Sequence, residues 1–512
     1  MYLEIFGLQA DPFQSTNAAD EPEIAEYFVP PPYFQAVLGD PSQPKSQVVL
    51  APRGGGKTAQ RVMIEQSSKG SKDFLCIVYD EFLLPEKAQI GDIDLNYHIR
   101  NVNELLTLAI LLECSTGNVG KEDLPKELTS VLKQAIEIYL GEYSQQLHSS
   151  SIGKFKNLGD KASDIWDSYG GKISLLVDGV LTYFGVDAVD LSKLARNPEN
   201  YEQSHQFYLR KLSEIAIILG YKSVYVLIDR VDETGLTNAD AQKAYDFIKP
   251  LISDLHILET PNVAFKFFLW DQMRSYYIAD GARPDRIKMY SLDWSVSEIS
   301  KMLTARLNAF SEGKVQSLNE IVNCELDAHM LVSYIAASSP RDMIRVGGRI
   351  VDEQVRMEPD GETISQNKVW LGSSKFCQER AEEIFARHLP DLRKIGVPTF
   401  TNRHLANDVF RVSENAIRPK IQSWQDSGAV KRVGDVPNPG NRPLYLYGLS
   451  ELRLCVAALS NVAIEEIFGN FLLECPACNI INISDQNEFN CSCGSSVKLS
   501  QARSVLEICS AK

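Results

Sequence analysis

One segment of the sequence has the residue types and the spacing that a phosphate-binding loop requires. Residues 51–58 read Ala-Pro-Arg-Gly-Gly-Gly-Lys-Thr, although Ala51 stands where the pattern usually begins with glycine. Glycines let backbone N–H groups close around phosphates, lysine places a cation on the β and γ oxygens, and the threonine hydroxyl can bind Mg²⁺. The predicted ATP-binding residues are Arg53, Gly54, Gly55, Gly56, Lys57, Thr58 and Ala59. The alternative is a glycine-rich turn with an incidental lysine.

A second segment supplies the acids that a nucleotide site needs. The apolar run 223–228 ends in Asp229, and Asp232 and Glu233 follow closely. Ligands collect at the carboxyl ends of parallel strands, so Asp229 is predicted to bind Mg²⁺ together with Thr58 and to contribute to the nucleotide site. Glu233 or Asp232 can polarise the water that attacks the γ-phosphate, and Glu233 is the first choice as general base. The alternative is an acidic strand end without a catalytic role.

Four cysteines form a third group, and they are candidate ligands for a metal ion. Cys475 and Cys478 are spaced Cys-x-x-Cys, and after twelve further residues Cys491 and Cys493 are spaced Cys-x-Cys. Four thiolates on two knuckles suit a tetrahedral Zn²⁺ with no open position, which makes the predicted zinc structural. A redox-active Cys-x-x-Cys is the alternative, but it leaves the Cys-x-Cys pair unexplained.

These groups must be positioned by strands and turns, and the sequence predicts which ones. Short apolar runs at 47–50, 74–79, 223–228, 263–270 and 287–292 are typical of buried parallel strands. Helical patterning dominates 96–219, between two of those strands, and returns at 298–310 and 326–337. We predict an α/β fold: the parallel sheet of a P-loop NTPase with a large helical insertion and a helical lid, followed by a winged helix and a zinc ribbon.

Length and composition limit the class of protein. The 512 residues suffice for several domains, and we place a P-loop core at 1–294 with its insertion at about 95–219, a lid and linker at 295–395, a winged helix-turn-helix at 396–470, and the zinc ribbon and tail at 471–512. No basic and apolar leader opens the chain, and no apolar run reaches the length of a membrane helix, so a cytoplasmic protein without membrane contact is expected. The net charge of −15 opposes non-specific DNA binding.

The segment 399–448 is predicted to be a winged helix. It contains two short helices, the second capped by Ser413, and then a hairpin with a Pro-Asn-Pro-Gly-Asn-Arg turn. Seven basic residues stand against four acidic ones here, in an acidic chain. This local excess favours contact with DNA or RNA, although winged helices also serve as protein-docking modules. The basic residues are Arg403, Arg411, Arg418, Lys420, Lys431, Arg432 and Arg442.

The motifs together indicate a family. In chain order they are the Gly-Gly-Gly-Lys-Thr loop, Leu-Ile-Asp229-Arg-Val-Asp232-Glu233, Leu-Asp-Trp-Ser at 292–295 and Ser-Pro-Arg-Asp at 339–342. Over roughly residues 1–357 the chain resembles the STAND and origin-recognition-like branch of AAA+ ATPases. It looks closest to a bacterial P-loop ATPase family that also opens with Phe-Gly-Leu and Pro-Phe.

The resemblance implies roles for further residues. Asp271 or Gln272, after the fourth strand, would occupy the sensor-1 position. Arg341 would be the sensor-2 arginine that acts on the nucleotide, and its alternative is an ion pair with Asp342 or Glu353. Arg283 and Arg286 would be finger arginines or simply solvated ones.

The resemblance also implies a function. Relatives act as ATP-dependent switches or scaffolds, several in defence against phage, and usually form closed assemblies. We therefore expect a homo-oligomeric ATPase that acts with a separate effector protein, since no effector signature is present in the sequence. The alternative is a DNA-binding regulator in which ATP is structural and turnover negligible.

Overall fold

The chain forms two compact units. The computed structural model describes residues 2–21, 23–84, 87–115, 124–140, 204–440 and 442–510, together with Val177, Gly179, Val180 and Thr182. Residues 30–293 form one unit, and residues 1–29 with 294–512 form the other. The sequence-based domain boundaries stay a prediction, and the structure adds that residues 2–29 pack with the second unit.

The first unit is built on a five-stranded sheet in which every pairing is parallel, with the order β2-β3-β4-β1-β5. Its strands are β1 (Gln47–Ala51), β2 (Phe74–Tyr79), β3 (Ser223–Ile228), β4 (Val263–Trp270) and β5 (Lys288–Ser291). The first four strands are almost wholly buried and apolar, as expected for a parallel sheet covered on both faces. The predicted α/β fold is confirmed.

Helices of the first unit connect and cover these strands. They are Phe34–Leu38, Lys57–Ser68, Leu95–Ser115, Lys126–Leu140, His205–Ile218, Ala241–Ile252, Leu255–Leu258 and Arg274–Ala279, with short 3₁₀ turns at Ile90–Asp92, Val231–Glu233 and Asp271–Met273. The large insertion is confirmed in its described part, because three long helices lie between β2 and β3. The sequence also predicts loops of the insertion at 117–126 and 149–160. The second lies outside the described residues, as does most of the first.

The second unit begins with the amino-terminal segment and a group of helices. These helices are Tyr2–Ile5, Ile24–Tyr27, Val296–Phe310, Ala328–Ile335, Pro340–Met357, Gln366–Phe385 and Leu389–Leu392, with 3₁₀ turns at Ala18–Asp20 and Leu318–Glu320. The two-residue strands β6 (Val322–Asn323) and β7 (Ile364–Ser365) pair in parallel. Buried Arg306 holds the amino-terminal segment through a bidentate ion pair with Glu21. Gly347 must be glycine because a Cβ there would lie 2.3 Å from the Phe13 ring.

A winged helix follows in the same unit. Strands β8 (Thr399–Thr401), β9 (Val430–Val436) and β10 (Leu444–Leu449) form an antiparallel sheet in the order β8-β10-β9. Between β8 and β9 lie helix Asn402–His404, which continues as a π-turn over Leu405–Val409, and helix Glu414–Asp426. Ser413 caps the latter helix, since its hydroxyl accepts a hydrogen bond from the Ala416 N–H at 3.3 Å. The predicted order of two short helices followed by a hairpin within 399–448 is present.

The chain ends in a small cysteine-containing ribbon. After helices Leu452–Ala458 and Ile464–Asn470 come β11 (Leu472–Glu474), β12 (Ile481–Ile483), β13 (Glu488–Asn490), β14 (Ser496–Lys498) and β15 (Arg503–Ser504), a 3₁₀ turn at Leu499–Gln501 and helix Val505–Ser510. The ribbon packs on its own unit: the Asp327 N–H donates to the Cys509 carbonyl at 2.6 Å, and Gln486 donates to the Thr399 hydroxyl at 3.0 Å. Among the described helices, none has the length and apolar character to cross a membrane.

Candidate nucleotide site and metal centre

The predicted P-loop joins β1 to helix Lys57–Ser68. Gly54 and Gly56 have φ values of 78° and 93°, in the left-handed region that favours glycine. The Gly55 N–H donates to the Pro52 carbonyl at 3.0 Å, and a Cβ on Gly55 would meet that oxygen at 3.0 Å. The loop therefore depends on its glycines, and it delivers the chain into a helix whose first N–H groups can bind an anion.

The Lys57 ammonium lies over the loop that precedes it. It donates to the carbonyls of Ala51 at 3.0 Å and Pro52 at 3.2 Å. Burial lowers the pKa of Lys57, while Asp232, Asp229 and Asp271 oppose that shift. The buried Lys57 ammonium is poorly solvated, and nearby carboxylates favour its charged form. Hydrogen bonds from it to phosphate oxygens would be stronger than its present bonds to carbonyls, so a phosphate can replace them.

Thr58 and Asp229 meet at the carboxyl edge of the sheet. The Thr58 hydroxyl donates to the Asp229 carboxylate at 2.9 Å, and the other carboxylate oxygen accepts from the Arg230 N–H at 2.9 Å. Asp229 is 1% exposed. A hydroxyl and a carboxylate are the hard oxygen ligands that Mg²⁺ takes, so this pair fits the ion and would hold it directly or through water, where it would neutralise phosphate charge.

Asp232 is tied to the P-loop rather than free. Its carboxylate accepts from Arg53 Nε at 2.9 Å and forms an ion pair with the second guanidinium nitrogen at 2.8 Å. The same guanidinium lies 4.4 Å from the centre of the Trp270 ring. Arg53, predicted as a nucleotide-binding residue, thus has its side chain directed to Asp232 and Trp270.

Glu233 is the more available of the two predicted general bases. Its side chain is 61% exposed, and among the described residues its one ion pair is a distant contact with Arg230, at 3.9 Å. It lies in the 3₁₀ turn Val231–Glu233, directly beyond the buried Asp229.

The residues assigned by resemblance fall into different settings. Asp271 and Gln272 are exposed directly after β4, and Asp271 is close enough for its charge to act on Lys57. Arg283 pairs with Asp285 at 2.7 Å and Arg286 with Glu259 at 2.8 Å, and both arginines are exposed, so the choice between finger and solvated roles stays open.

Arg341 belongs to the second unit, in the first turn of helix Pro340–Met357. It is exposed and has no ion pair with another residue in the described ranges. Both acids considered for it bind other cations: Asp342 binds Arg453, Arg380 and Arg345, and Glu353 binds Arg356 and Lys375. The ion-pair alternative for Arg341 is therefore wrong in this structure.

Sequence reasoning missed Arg61, which lies four residues after Lys57 and is 2% exposed. It pairs with Glu65 at 2.8 Å, with Asp229 at 3.4 Å and with Asp80 at 3.8 Å. Arg61 therefore connects the P-loop helix to the acids that follow β2 and β3. The sequence signal that could have identified Arg61 is its spacing of four residues from Lys57, because residues i and i+4 lie on one face of a helix.

The four predicted cysteine ligands converge. The sulfur atoms of Cys475, Cys478, Cys491 and Cys493 all lie within 4.8 Å of one another. Cys475 and Cys493 are 3.8 Å apart and Cys478 and Cys491 3.5 Å apart. Zn–S bonds of about 2.3 Å in a tetrahedron place sulfurs about 3.8 Å apart, so the spacing fits zinc and is far too long for a disulfide.

Two tight turns position these sulfurs. The Asn479 N–H donates to the Cys475 carbonyl at 2.8 Å, and the Gly494 N–H donates to the Cys491 carbonyl at 2.9 Å. The apolar core around them is small, with Leu473, Phe489 and Val497 as its buried members besides Cys475 and Cys491. Such a core is too small to hold the ribbon by itself, so a metal would supply much of its folding energy.

The basic side chains of the winged helix divide into two groups. Three are paired within the protein: Lys420 with Asp391 at 2.5 Å, Arg432 with Asp435 at 2.7 Å and Arg403 with Glu414 at 3.5 Å. The others are exposed and have no ion pair with any residue that the structure describes. These four are Arg411, Arg418, Lys431 and Arg442.

Comparison with known proteins adds distant similarity to solved structures. No family model matches the sequence, and no curated protein is similar to it. A solved structure, the Aeropyrum pernix ORC2 protein in ADPNP-ADP complexes, matches 86% of this chain and 97% of its own, with 10% identity and a TM-score of 0.40. At this identity and TM-score the similarity establishes neither a shared family nor a shared function.

Proposed function

We propose that residues 30–293 bind Mg²⁺-ATP at the P-loop and hydrolyse it to ADP and phosphate. The observation that carries the proposal is the 2.9 Å contact between the Thr58 hydroxyl and the Asp229 carboxylate. It unites the hydroxyl of a glycine-rich loop with a strand-end acid, the two oxygen ligands that a phosphate-bound Mg²⁺ requires.

Each part of the site has a role in this proposal. The loop N–H groups and Lys57 bind the phosphates, and Thr58 and Asp229 hold the ion. Arg53 fixes Asp232 and so sets the position of the turn Val231–Glu233 against the P-loop. Glu233 orients and polarises the attacking water, and Asp271 or Gln272 contacts the γ-phosphate. Arg341 remains a proposed nucleotide-sensing residue.

Nucleotide binding and turnover test the proposal directly. We expect Mg²⁺-ATP to raise the Tm of the wild type by several degrees and to be hydrolysed, whereas Lys57→Ala should lose both effects. Lys69→Ala, at the end of the same helix, is the control and should behave as wild type. If millimolar ATP does not shift the Tm of the wild type, the proposal that it binds ATP is wrong. If the wild type binds ATP but does not hydrolyse it, the alternative of a regulator with structural ATP holds.

The motif order supports a switch of the STAND and origin-recognition-like AAA+ type. Under this proposal the nucleotide state controls assembly into a homo-oligomer in the cytoplasm and engagement of a separate effector, in defence against phage. The support is the resemblance in sequence motifs, and native mass measurement with ADP and with ATP tests the assembly step.

A second candidate function is contact with nucleic acid. It is favoured by the four exposed basic side chains of the winged helix that have no ion pair among the described residues, in a chain of net charge −15. The zinc ribbon would serve this function structurally, because it packs beside β8 through Gln486 and Thr399. The alternative to the ATPase proposal is a DNA-binding regulator. In that case the winged helix still contacts DNA, but ATP turnover is negligible.

A further inference from the structure

One cysteine of the four-cysteine cluster differs from the other nine cysteines of the chain. The structure describes all ten, and Cys493 is the one that is exposed to solvent. Its neighbours Ser492 and Gly494 are exposed as well, and both are small. A thiolate that solvent reaches is open to oxidants, whereas a cysteine buried in apolar surroundings is inert.

A second sulfur lies close to Cys493 and belongs to the other knuckle. Cys475 Sγ is 3.8 Å from Cys493 Sγ, and Cys475 is 0% exposed. Cys475 packs in the small apolar core of the ribbon with Leu473 and Phe489. The pair therefore consists of one sulfur that a dissolved oxidant can reach and one that reacts only through the first.

We infer that Cys493 is an oxidative modification site through which a peroxide releases the zinc and opens the ribbon. This inference rests on the predicted zinc site and is independent of the proposed ATP binding. The chemistry requires an exposed sulfur that accepts oxygen and a second sulfur close by that forms the disulfide. Cys493 and Cys475 meet both conditions.

The reaction transfers two electrons from sulfur to the peroxide in two steps. In the first, the Cys493 thiolate attacks a peroxide oxygen, the O–O bond breaks, and the leaving hydroxide is protonated to water, which leaves a sulfenic acid. In the second, the Cys475 thiolate attacks the sulfenic sulfur, the S–O bond breaks, and a disulfide and a second water form. Two of the four ligands are thereby consumed, and Cys478 and Cys491 alone do not complete a tetrahedral zinc site.

Loss of the metal should affect more than the cysteines. The apolar core of the ribbon is too small to hold the fold by itself. The ribbon contacts the rest of its unit through hydrogen bonds from Gln486 to Thr399 and from Asp327 to Cys509. An unfolded ribbon would lose these contacts, so peroxide should make residues 471–510 sensitive to protease.

The test is a peroxide titration of the zinc-loaded full chain. A chromogenic chelator follows the zinc that is released, and peptide mapping under non-reducing conditions identifies the disulfides. We expect hydrogen peroxide to release about one zinc per chain, the content of a four-thiolate site, with Cys475–Cys493 as the first disulfide. A thiol reductant followed by zinc should restore both the metal content and the protease resistance of 471–510.

Cys493→His is the diagnostic variant. Histidine binds zinc in Cys₃His sites, so the variant should load with zinc although the exposed thiolate is gone. It should release the metal at least about tenfold more slowly under peroxide, because the remaining cluster sulfurs are buried or half-buried. Cys324→Ser, outside the cluster, is the control and should release zinc at the wild-type rate.

Contrary results would overturn the inference. Zinc release from Cys493→His at the wild-type rate would show that peroxide attacks another sulfur. A first disulfide within one knuckle, either Cys475–Cys478 or Cys491–Cys493, would exclude the proposed pairing, and this map of the wild type decides even if Cys493→His fails to load with zinc. A wild type without zinc would contradict the zinc prediction and the inference together, and would leave the proposed ATP binding intact.

Discussion

The Thr58 hydroxyl and the Asp229 carboxylate are 2.9 Å apart, although 171 positions separate them in the chain. They follow β1 and β3, which are separated in the sheet by β4. Parallel strands bring their carboxyl ends to one edge, and this is why a loop and a distant acid can share one ion. The pair is the most direct reporter of metal-dependent binding.

Removal of the Thr58 hydroxyl should reduce the gain in ATP affinity that Mg²⁺ provides, because Asp229 then holds the ion alone. We expect Thr58→Ala to bind Mg²⁺-ATP about tenfold more weakly than the wild type, the equivalent of about 1.4 kcal/mol. Thr58→Ser keeps the oxygen and should bind as the wild type does. Titrations with Mg²⁺ and with EDTA measure the effect, and an Ala variant that gains as much affinity from Mg²⁺ as the wild type does would show that the hydroxyl is not a ligand.

The two acids after Asp229 should behave differently in turnover. Glu233→Gln should lower the hydrolysis rate by roughly 10²–10⁴-fold, because a positioned general base contributes about that much, and should keep ATP affinity. Asp232→Asn should keep most of the turnover, since this carboxylate is engaged by Arg53. Single-turnover hydrolysis with bound ATP measures both. If Asp232→Asn lowers the hydrolysis rate more than Glu233→Gln does, the general base is Asp232.

Zinc removal should unfold the ribbon and leave the nucleotide site. We expect about one zinc per chain, the stoichiometry of a four-thiolate site, and loss of that zinc in Cys475→Ser. Cys324→Ser, outside the cluster, should retain it. Metal analysis measures the zinc content of the three proteins. Limited proteolysis of the wild type after a chelator has removed the zinc should give new cleavage within 471–510. A metal-free wild type resistant to protease there would show that the ribbon folds without zinc.

Arg418 and Lys420 should differ in nucleic-acid binding although both are basic and lie two residues apart. Arg418 is exposed, whereas Lys420 pairs with Asp391 and lies 4.6 Å from the centre of the Phe410 ring. Arg418→Ala should weaken DNA binding and reduce the salt slope by about one.

Lys420→Ala should act mainly on stability, lowering the Tm of this unit while DNA affinity stays nearly constant. Binding at several salt concentrations, followed by fluorescence anisotropy, separates the two variants. Unchanged binding by Arg418→Ala would remove this helix as the contact.

Buried Lys266 should make the protein more stable as pH rises. Lys266 in β4 is 1% exposed and donates to the Lys45 carbonyl at 2.9 Å, and burial lowers its pKa from 10.5 to about 7. Between these values the unfolded chain binds the extra proton, so the free energy of unfolding gains up to about 1.4 kcal/mol per pH unit.

That gain should be absent from Lys266→Met. Urea unfolding at pH 7.5 and 9.0 compares the two proteins, and Lys249→Met, which removes an exposed ion pair, should keep the wild-type slope. Equal slopes for the wild type and Lys266→Met would mean that Lys266 titrates normally in the folded protein.

The sheet could be predicted from the sequence because its strands carry their own signal. The runs 74–79, 223–228 and 263–270 agree with β2, β3 and β4 at both ends, and Gly54 and Gly56 occur where the backbone has a positive φ. The cysteine spacing likewise predicts a cluster that the structure assembles. Local periodicity, turn chemistry and metal-ligand spacing are properties of short segments, so the sequence alone determines them.

Only the tertiary structure decides which charged side chains form ion pairs within the protein and which stay available for a ligand. Lys420 and Arg418 are equivalent in sequence, and Asp391, from another helix, makes one of them a structural cation. Asp232 and Glu233 are adjacent acids, and Arg53 engages only the first. These outcomes depend on residues far apart in the chain, because packing fixes ion pairs and burial and no short segment encodes them.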